Sequence, residues 1–590
     1  MSPSSFADYP EPVKAGEARY RSLPEPNPKL HGLPLVLVAN VMTRVNAVPN
    51  FFWSNAGFGT IKDMPELDDP TVTPLGDNTM LDFEPELLES KRATGANGAN
   101  YYSAADYHAM YRSGKVTPLQ VTQTLLAVTK KGQEPRSLYA DAWADWHGKE
   151  SLALEAARAS TERYAAGEPL GVLDGVPIGV KDDTDVRGYV SHVGMKYKAG
   201  LDFFKEREST IWCVQKLEEA GAVVLGKNCM HELGSGTPTN HYNKSYYTGG
   251  STSGGASALG AGIVPIVVGS DAGGSIRIPA TFNGVYGLKP SHNRTGFFNM
   301  TMAVRGPLAA SVADLRIAYR LMSQPDPASA VQRLFATSRR PGPDAERVMG
   351  VYRDWWADAD PEVVRICDAA VEHLASKRGY RVVDISIPHV AEARTAHQVL
   401  CITEMAELHR RRAAGDPAGW TGLVGAANRM VLSVGMRTPS ADYLKCNALR
   451  ELMMRHVASL FREHPGLLVV TPTSPMVGWP RDPAEEAYGC SDTNRTVRNM
   501  MYIFLSNMTG APSVSAPAGY ARPPAGRGEG DGTLPIGLMA MGEWGAEEQL
   551  LDWAAEVEDY LLGSYEGGRR LPETWFDVLG EAEAAQKNDE

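Results

Sequence analysis

Residues 249–290 read GGSTSGGASALGAGIVPIVVGSDAGGSIRIPATFNGVYGLKP. Two glycine-rich turns, one carrying Ser251 and the other Ser275, enclose a small-residue segment (256–262) and an apolar run (263–268). This order predicts turn, short helix, strand, turn, helix, with both serines at loop ends. Gly273 and Gly274 let the backbone turn sharply before Ser275 and approach a ligand closely. Consecutive N–H groups in such a turn form an anion-binding concavity. A serine inside it could attack a carbonyl while the N–H groups stabilise the oxyanion. A lone GGS is most often only a turn, so the surrounding pattern decides.

That pattern, GGSTSGG (249–255), GSDAGGSIRIPA (269–280) and GLKP (287–290), with serines 275 − 251 = 24 residues apart, resembles the signature of the amidase-signature family. The resemblance spans about residues 102–562 and includes GVPIGVKD around Lys181 and LGKNCMHEL at 225–233. It implies an α/β fold: a large, mixed, mostly parallel central sheet surrounded by helices, in one domain (101–565), with an N-terminal extension (1–100) and a C-terminal tail (566–590). It also implies a Lys181, Ser251, Ser275 triad, with a cis Gly250–Ser251 peptide and no metal or organic cofactor.

In that scheme Ser275 is acylated by a linear amide, and Ser251 passes protons between Ser275, Lys181 and the leaving amine. Backbone N–H groups of Ala272, Gly273, Gly274 and Ser275 are the implied oxyanion donors. Asp271 and Arg277 hold the turn, and the Thr252 hydroxyl, where many relatives have Ser, can bond to the nucleophile. Only roughly one ordinary lysine in 2,500 is neutral at pH 7, so Lys181 is expected to be buried, which lowers its pKa. Asp182 and Asp183 are expected to point away, since a direct ion pair would disable the base.

Composition bounds the rest. The chain has 590 residues, 43% of them apolar, and a net charge of 58 − 70 = −12. No basic stripe argues for nucleic acid. Six scattered cysteines without a CxxC pair suggest reduced thiols in a cytoplasmic protein. The polar start lacks a signal-peptide pattern, and the run at 33–42 is about half the ~20 residues a membrane span needs.

Residues 1–100 read as an arm packed on the main domain; a dimer contact or a lid over the site is the functional alternative. Helices are expected near 103–112, after Thr117-Pro118, at 150–165, 209–220, 361–379 and 546–561, and strands at 222–227, 349–354 and 380–387. Residues 388–465 are helical, match the family least and are where substrate-shaping variation is expected. Phe297, Phe298, Met300, Met302 and the 500–508 segment hint at an apolar pocket, with Leu233 on its wall.

The stretch Gly221–Lys227 imitates a phosphate loop, but Asn228 replaces the magnesium-binding Ser or Thr. His231 and Glu232 lack an HExxH partner. There is no GxSxG elbow or SxxK, and no histidine clusters near the serines in sequence. The reading is thus a small-molecule amidase. Alternatives are the glutaminase subunit of an amidotransferase, an esterase or carbamate hydrolase, or an inert scaffold. A homodimer is expected by base rate.

Overall fold

A computed structural model describes residues 6–7, 12–64 except 17 and 23–26, 75–76, and 101–589 except 132–136, 145–147, 231–236, 297, 330–331, 333–341, 343–344, 415, 417–418, 486–487 and 524–531. Ten strands form the central sheet: β1 Pro177–Lys181, β2 Val223–Asn228, β3 Ile266–Asp271, β4 Tyr286–Lys289, β5 Val304–Ala309, β6 Val348–Val351, β7 Arg381–Asp384, β8 Leu467–Pro472, β9 Ser513–Ala521 and β10 Leu534–Met541. Their spatial order is β7-β6-β8-β10-β9-β4-β5-β3-β1-β2.

The sheet is mixed, but the expected excess of parallel pairing is confined to its ends. β7–β6–β8 and β3–β1–β2 pair in parallel; the five pairings between β8 and β3 are antiparallel. Parallel neighbours need a long crossover, usually a helix. The 290–303 link between β4 and β5 contains no helix, so that pair closes antiparallel.

β1, β2 and β3 are buried along their whole length, as their near-continuous apolar runs require when helices cover both faces. β1 and β3 are parallel neighbours, so Lys181 and Asp271, the last residue of each, emerge at the same sheet edge. That carboxyl edge is where open α/β sheets bind ligands. Two short helices frame it: α3, Ser253–Gly260, and α4, Arg277–Phe282. α3 is buried throughout, and its small residues let it lie close to its neighbours. A Cβ on Gly254 would stand 2.1 Å from the Ala142 carbonyl oxygen.

The predicted helix after Thr117 is Pro118–Thr129; the Thr117 hydroxyl accepts from the Gln120 N–H in a capping box. In the N-terminal hundred residues, α1 (Gly32–Met42) and α2 (Ala47–Asn55) are bent by 111° to each other. They pack on α6 (Ala426–Gly435), which itself packs on the long helix α5 (Val390–Arg412). Leu35, Ala39 and Trp53 join the main core, whereas Leu33, Leu37, Val41 and Phe51 stay exposed. Among the described residues no single helix is long and apolar enough to cross a membrane. In the stretch expected as a tail, helix Val578–Asp589 buries Val578, Leu579 and Ala582.

Candidate active site

The turn after β3 is held by one carboxylate. Asp271 accepts from the N–H groups of Gly274 (2.8 Å) and Ile276 (3.1 Å), from Asn507 Nδ2 (2.9 Å), and from the Arg277 guanidinium at both oxygens (3.0 and 3.1 Å). Arg277, fully buried, also donates to the Ile503 carbonyl (3.0 Å), Ser506 Oγ (2.7 Å) and Asn507 Oδ1 (2.5 Å). Burial alone would raise the Asp271 carboxyl; Arg277, Asn507 and the turn's N–H groups reverse that and hold it well below the carboxylate range. Asp271 thus ties the turn's N–H groups to the Arg277 guanidinium.

The same bonds correct the oxyanion set. The Gly274 N–H is committed to Asp271, leaving Ala272, Gly273 and Ser275, whose N–H groups have no partner among the described residues. Gly274 itself takes φ +94°, and a Cβ there would strike Ile278 at 2.7 Å and Ile503 at 2.8 Å. The turn thus needs glycine for shape rather than for a free donor.

The second turn joins the first through the backbone: the Thr252 N–H donates to the Ser275 carbonyl at 3.1 Å. The Gly250–Ser251 peptide is cis. The Thr252 hydroxyl does not bond Ser275, as it was expected to. Thr252 is fully buried at the start of α3, facing β3, and its Oγ1 donates to the Ser270 carbonyl at 3.4 Å.

Lys181 is 1% exposed. Its Nζ donates to Ser251 Oγ (2.8 Å), Ser270 Oγ (2.6 Å) and the Ser270 carbonyl (3.2 Å). Asp182 points elsewhere, its Oδ2 accepting from the His192 N–H. Asp183 does not: its Oδ2 lies 3.4 Å from Nζ. It also accepts from the Ser270 hydroxyl and, at Oδ1, from Thr184 Oγ1 (3.1 Å). Asp183 thus pairs directly with Lys181, against the expectation that it would point away, and shares its Oδ2 with the Ser270 hydroxyl. Burial lowers the Lys181 pKa, and Asp183 offsets only part of this. Asp183 would be raised by burial but is kept ionised by Lys181 and its two hydroxyl donors.

Ser251, Ser270, Ala272, Gly273 and Ser275 front one cavity of about 400 Å³. Its walls are Phe298 and Met300, Met405 and Leu408 of α5, Met430 and Val434 of α6, and Phe52 and Phe58 of the N-terminal segment. Met500 joins it, while Met302 is 0% exposed in the core, away from the cavity lining. Phe297 and Leu233 lie outside the described residues.

Histidine is nearer than its sequence distance implied. His397 of α5 bonds the Ala272 carbonyl oxygen through Nε2 (2.9 Å), but this occupies the nitrogen, and no hydrogen bond joins the ring to a serine. Lys227, the false phosphate-loop lysine, is buried and donates to the Thr184 carbonyl and Ser191 Oγ, so it ties down the loop after Lys181.

Residues 149–551 match the Amidase family model. The chain belongs to the amidase family. Its members hydrolyse amides, and the chain is an amidohydrolase in that general sense. It is similar to a fatty acid amide hydrolase of Medicago truncatula, 31% identical over 85% of this chain and 82% of the relative. It is also 30% identical to a glutamyl-tRNA(Gln) amidotransferase subunit of Thermus thermophilus, covering 77% of this chain and 96% of that one. A crystal structure of an amidase superimposes with a TM-score of 0.62 at 25% identity, over 78% of this chain and 99% of that one.

In this amidase fold, sequence reasoning missed Ser270, His397, Cys401 and Phe58. Ser270 was readable, lying inside GSDAGGS. Nothing in the chain ties His397 and Cys401 to a turn 125 and 129 residues away.

Proposed function

We propose that the chain hydrolyses linear amides bearing a long apolar acyl group, through a Ser275 acyl-enzyme served by a Ser251–Lys181 relay. The observation that carries the reading is the hydrogen-bond bookkeeping at Lys181. An ammonium has three protons, and Nζ has four acceptors around it: Ser251 Oγ, Ser270 Oγ, the Ser270 carbonyl and, at 3.4 Å, the Asp183 carboxylate, which like the carbonyl has no proton to give. A neutral amine has two protons and one lone pair, so one contact must reverse. A carbonyl has no proton to give, and the Ser270 hydroxyl gives its own to Asp183. Only Ser251 can donate to the lone pair, so Lys181 as a base draws on Ser251.

The cycle follows. Ser275 Oγ bonds to the amide carbon as its proton passes to Ser251 and the Ser251 proton to Lys181. The negative oxygen is met by the N–H groups of Ala272, Gly273 and Ser275; losing one such donor costs about 3–4 kcal/mol of barrier. The proton returns through Ser251 to the amine nitrogen, the C–N bond breaks, and the amine leaves. Water repeats the addition and releases the carboxylic acid.

The substrate class rests on the cavity. Its volume falls in the range of small-molecule pockets, and its lining is largely apolar, with Phe, Met, Leu and Val beside polar groups such as Asp183, His409 and Arg412, which suits an apolar acyl chain leading to a polar reacting group. The similarity to a fatty acid amide hydrolase points the same way.

The test is a series of acyl p-nitroanilides from acetyl to tetradecanoyl. At about 0.8 kcal/mol per buried methylene, kcat/KM is expected to rise about fourfold per CH2 until the cavity is full. A flat or falling series overturns the acyl assignment. A fluorophosphonate adduct on any residue but Ser275 overturns the nucleophile.

A further inference from the structure

The Ala272 carbonyl oxygen is clasped from one helix. His397 Nε2 lies 2.9 Å from it and Cys401 Sγ 3.4 Å. The two are four residues apart on α5 and so share a face. A carbonyl only accepts, so Nε2 must carry the imidazole proton. Nδ1 is then bare, and it is buried without a hydrogen-bond partner among the described residues. The ring is 1% exposed and packs so closely on the turn that a Cβ at Gly273 would stand 3.1 Å from its Cε1. Burial lowers the His397 pKa to about 4, so the imidazole is a neutral donor at pH 7.

The Ala272 oxygen and the Gly273 N–H belong to one planar peptide and point to opposite sides of it. Whatever fixes the oxygen therefore aims the N–H. We infer that His397, assisted by Cys401, is a positioning residue: it holds the Ala272–Gly273 peptide so that the Gly273 N–H faces the oxyanion. This rests on the acyl-enzyme reading above and adds to it a residue outside the glycine-rich stretches. His397 moves no proton. Its contribution is to a hydrogen bond that strengthens only as charge develops on the substrate oxygen, so it belongs to kcat and not to substrate binding.

The experiment compares the parent enzyme with His397→Leu and His397→Gln on decanoyl p-nitroanilide, with decanoyl trifluoromethyl ketone as the mimic of the oxyanion adduct. Leucine removes the donor, while the glutamine amide can replace it. His397→Leu is expected to lower kcat about tenfold or more, since small misplacements in such sites are costly, with KM changed less than about twofold. The inhibition constant of the ketone should weaken by the same factor as kcat. His397→Gln should recover most of both.

Equal behaviour of the Leu and Gln variants, parallel changes in kcat and KM, or an unchanged ketone constant would each overturn the inference. If the leucine variant does not fold, His397→Asn takes its place, being one methylene too short to reach the carbonyl. A parent inert to the anilide and unlabelled at Ser275 removes the acyl-enzyme reading itself; an active parent with indistinguishable variants removes only the role of His397.

Discussion

Two basic side chains lie buried by the glycine-rich turn after β3, and the protein treats them in opposite ways. Arg277, at the start of α4, meets Asp271 with two nitrogens on two oxygens and spends further donors on a carbonyl, a hydroxyl and an amide. Lys181, at the end of β1, meets two hydroxyls and a carbonyl, with its carboxylate at 3.4 Å and already occupied by Ser270. Burial is equal, so it does not decide the charge state. What differs is how closely the counter-charge engages: two nitrogens on two oxygens at 3.0 and 3.1 Å for Arg277, one contact at 3.4 Å for Lys181. A guanidinium in a fork-and-carboxylate pair stays a cation and becomes a fastener. An ammonium whose one longer carboxylate contact offsets only part of its burial can shed its proton and become a base.

That contrast predicts opposite phenotypes. Ser275→Ala and Lys181→Met should each lower turnover by about 10⁴-fold or more, with the Ser275→Ala melting temperature nearly unchanged. Lys181→Met retaining a tenth of parental kcat would place the base elsewhere. Arg277→Met instead strands Asp271 without its cation in a dry site, and the loss should appear as stability, about 3–5 kcal/mol. The double variant Arg277→Met/Asp271→Leu should lose less than Arg277→Met alone. A chemical-denaturation series showing the single variant as stable as the parent would break the comparison at its firmer end.

Asp183 sharpens the softer end. Its charge favours the Lys181 ammonium, opposing burial. In the proposed relay the active form of Lys181 is neutral, so acylation should rise with pH as the ammonium is lost. Asp183→Asn keeps an oxygen to accept the Ser270 hydroxyl but removes the negative charge. The Lys181 pKa should then fall further, and the acid limb of kcat/KM should move to lower pH. A limb that moves to higher pH, or does not move, would show that the lysine does not feel Asp183.

What the sequence disclosed follows the same division. Features set by local backbone needs were legible: the glycine turns, the Thr117 cap, and the order strand, turn, helix around Ser275. The burial of Lys181 was expected from the family resemblance and the need for a neutral amine, since a lysine ending an apolar strand is by composition more often at the surface. Features set by which strands and helices meet were not. Asp183 was expected to turn away because neighbours in sequence say nothing of Ser270, which β3 brings beside β1. The spare donor of Gly274 was miscounted because the reach of Asp271 back to its own turn depends on the turn's conformation. His397 was invisible because α5 comes from the part of the chain that resembles the family least. Sheet direction was overestimated as parallel because the link between β4 and β5 gives no composition signal separating a loop from a crossover.

The N-terminal segment marks the mild end of the contrast. Phe52 and Phe58 reach the cavity wall from a region outside the family resemblance. Their effect should be on binding alone. Phe52 is half-buried, so truncation to alanine removes only part of the 1.5–3 kcal/mol a fully buried aromatic contributes, roughly 1 kcal/mol. KM for decanoyl p-nitroanilide should then rise about fivefold, at about 1.4 kcal/mol per factor of ten. Its kcat should hold, and KM for the acetyl anilide, which is too short to reach the wall, should not change. Equal rises for both anilides would mean that Phe52 supports the fold near the site and does not contact the acyl chain.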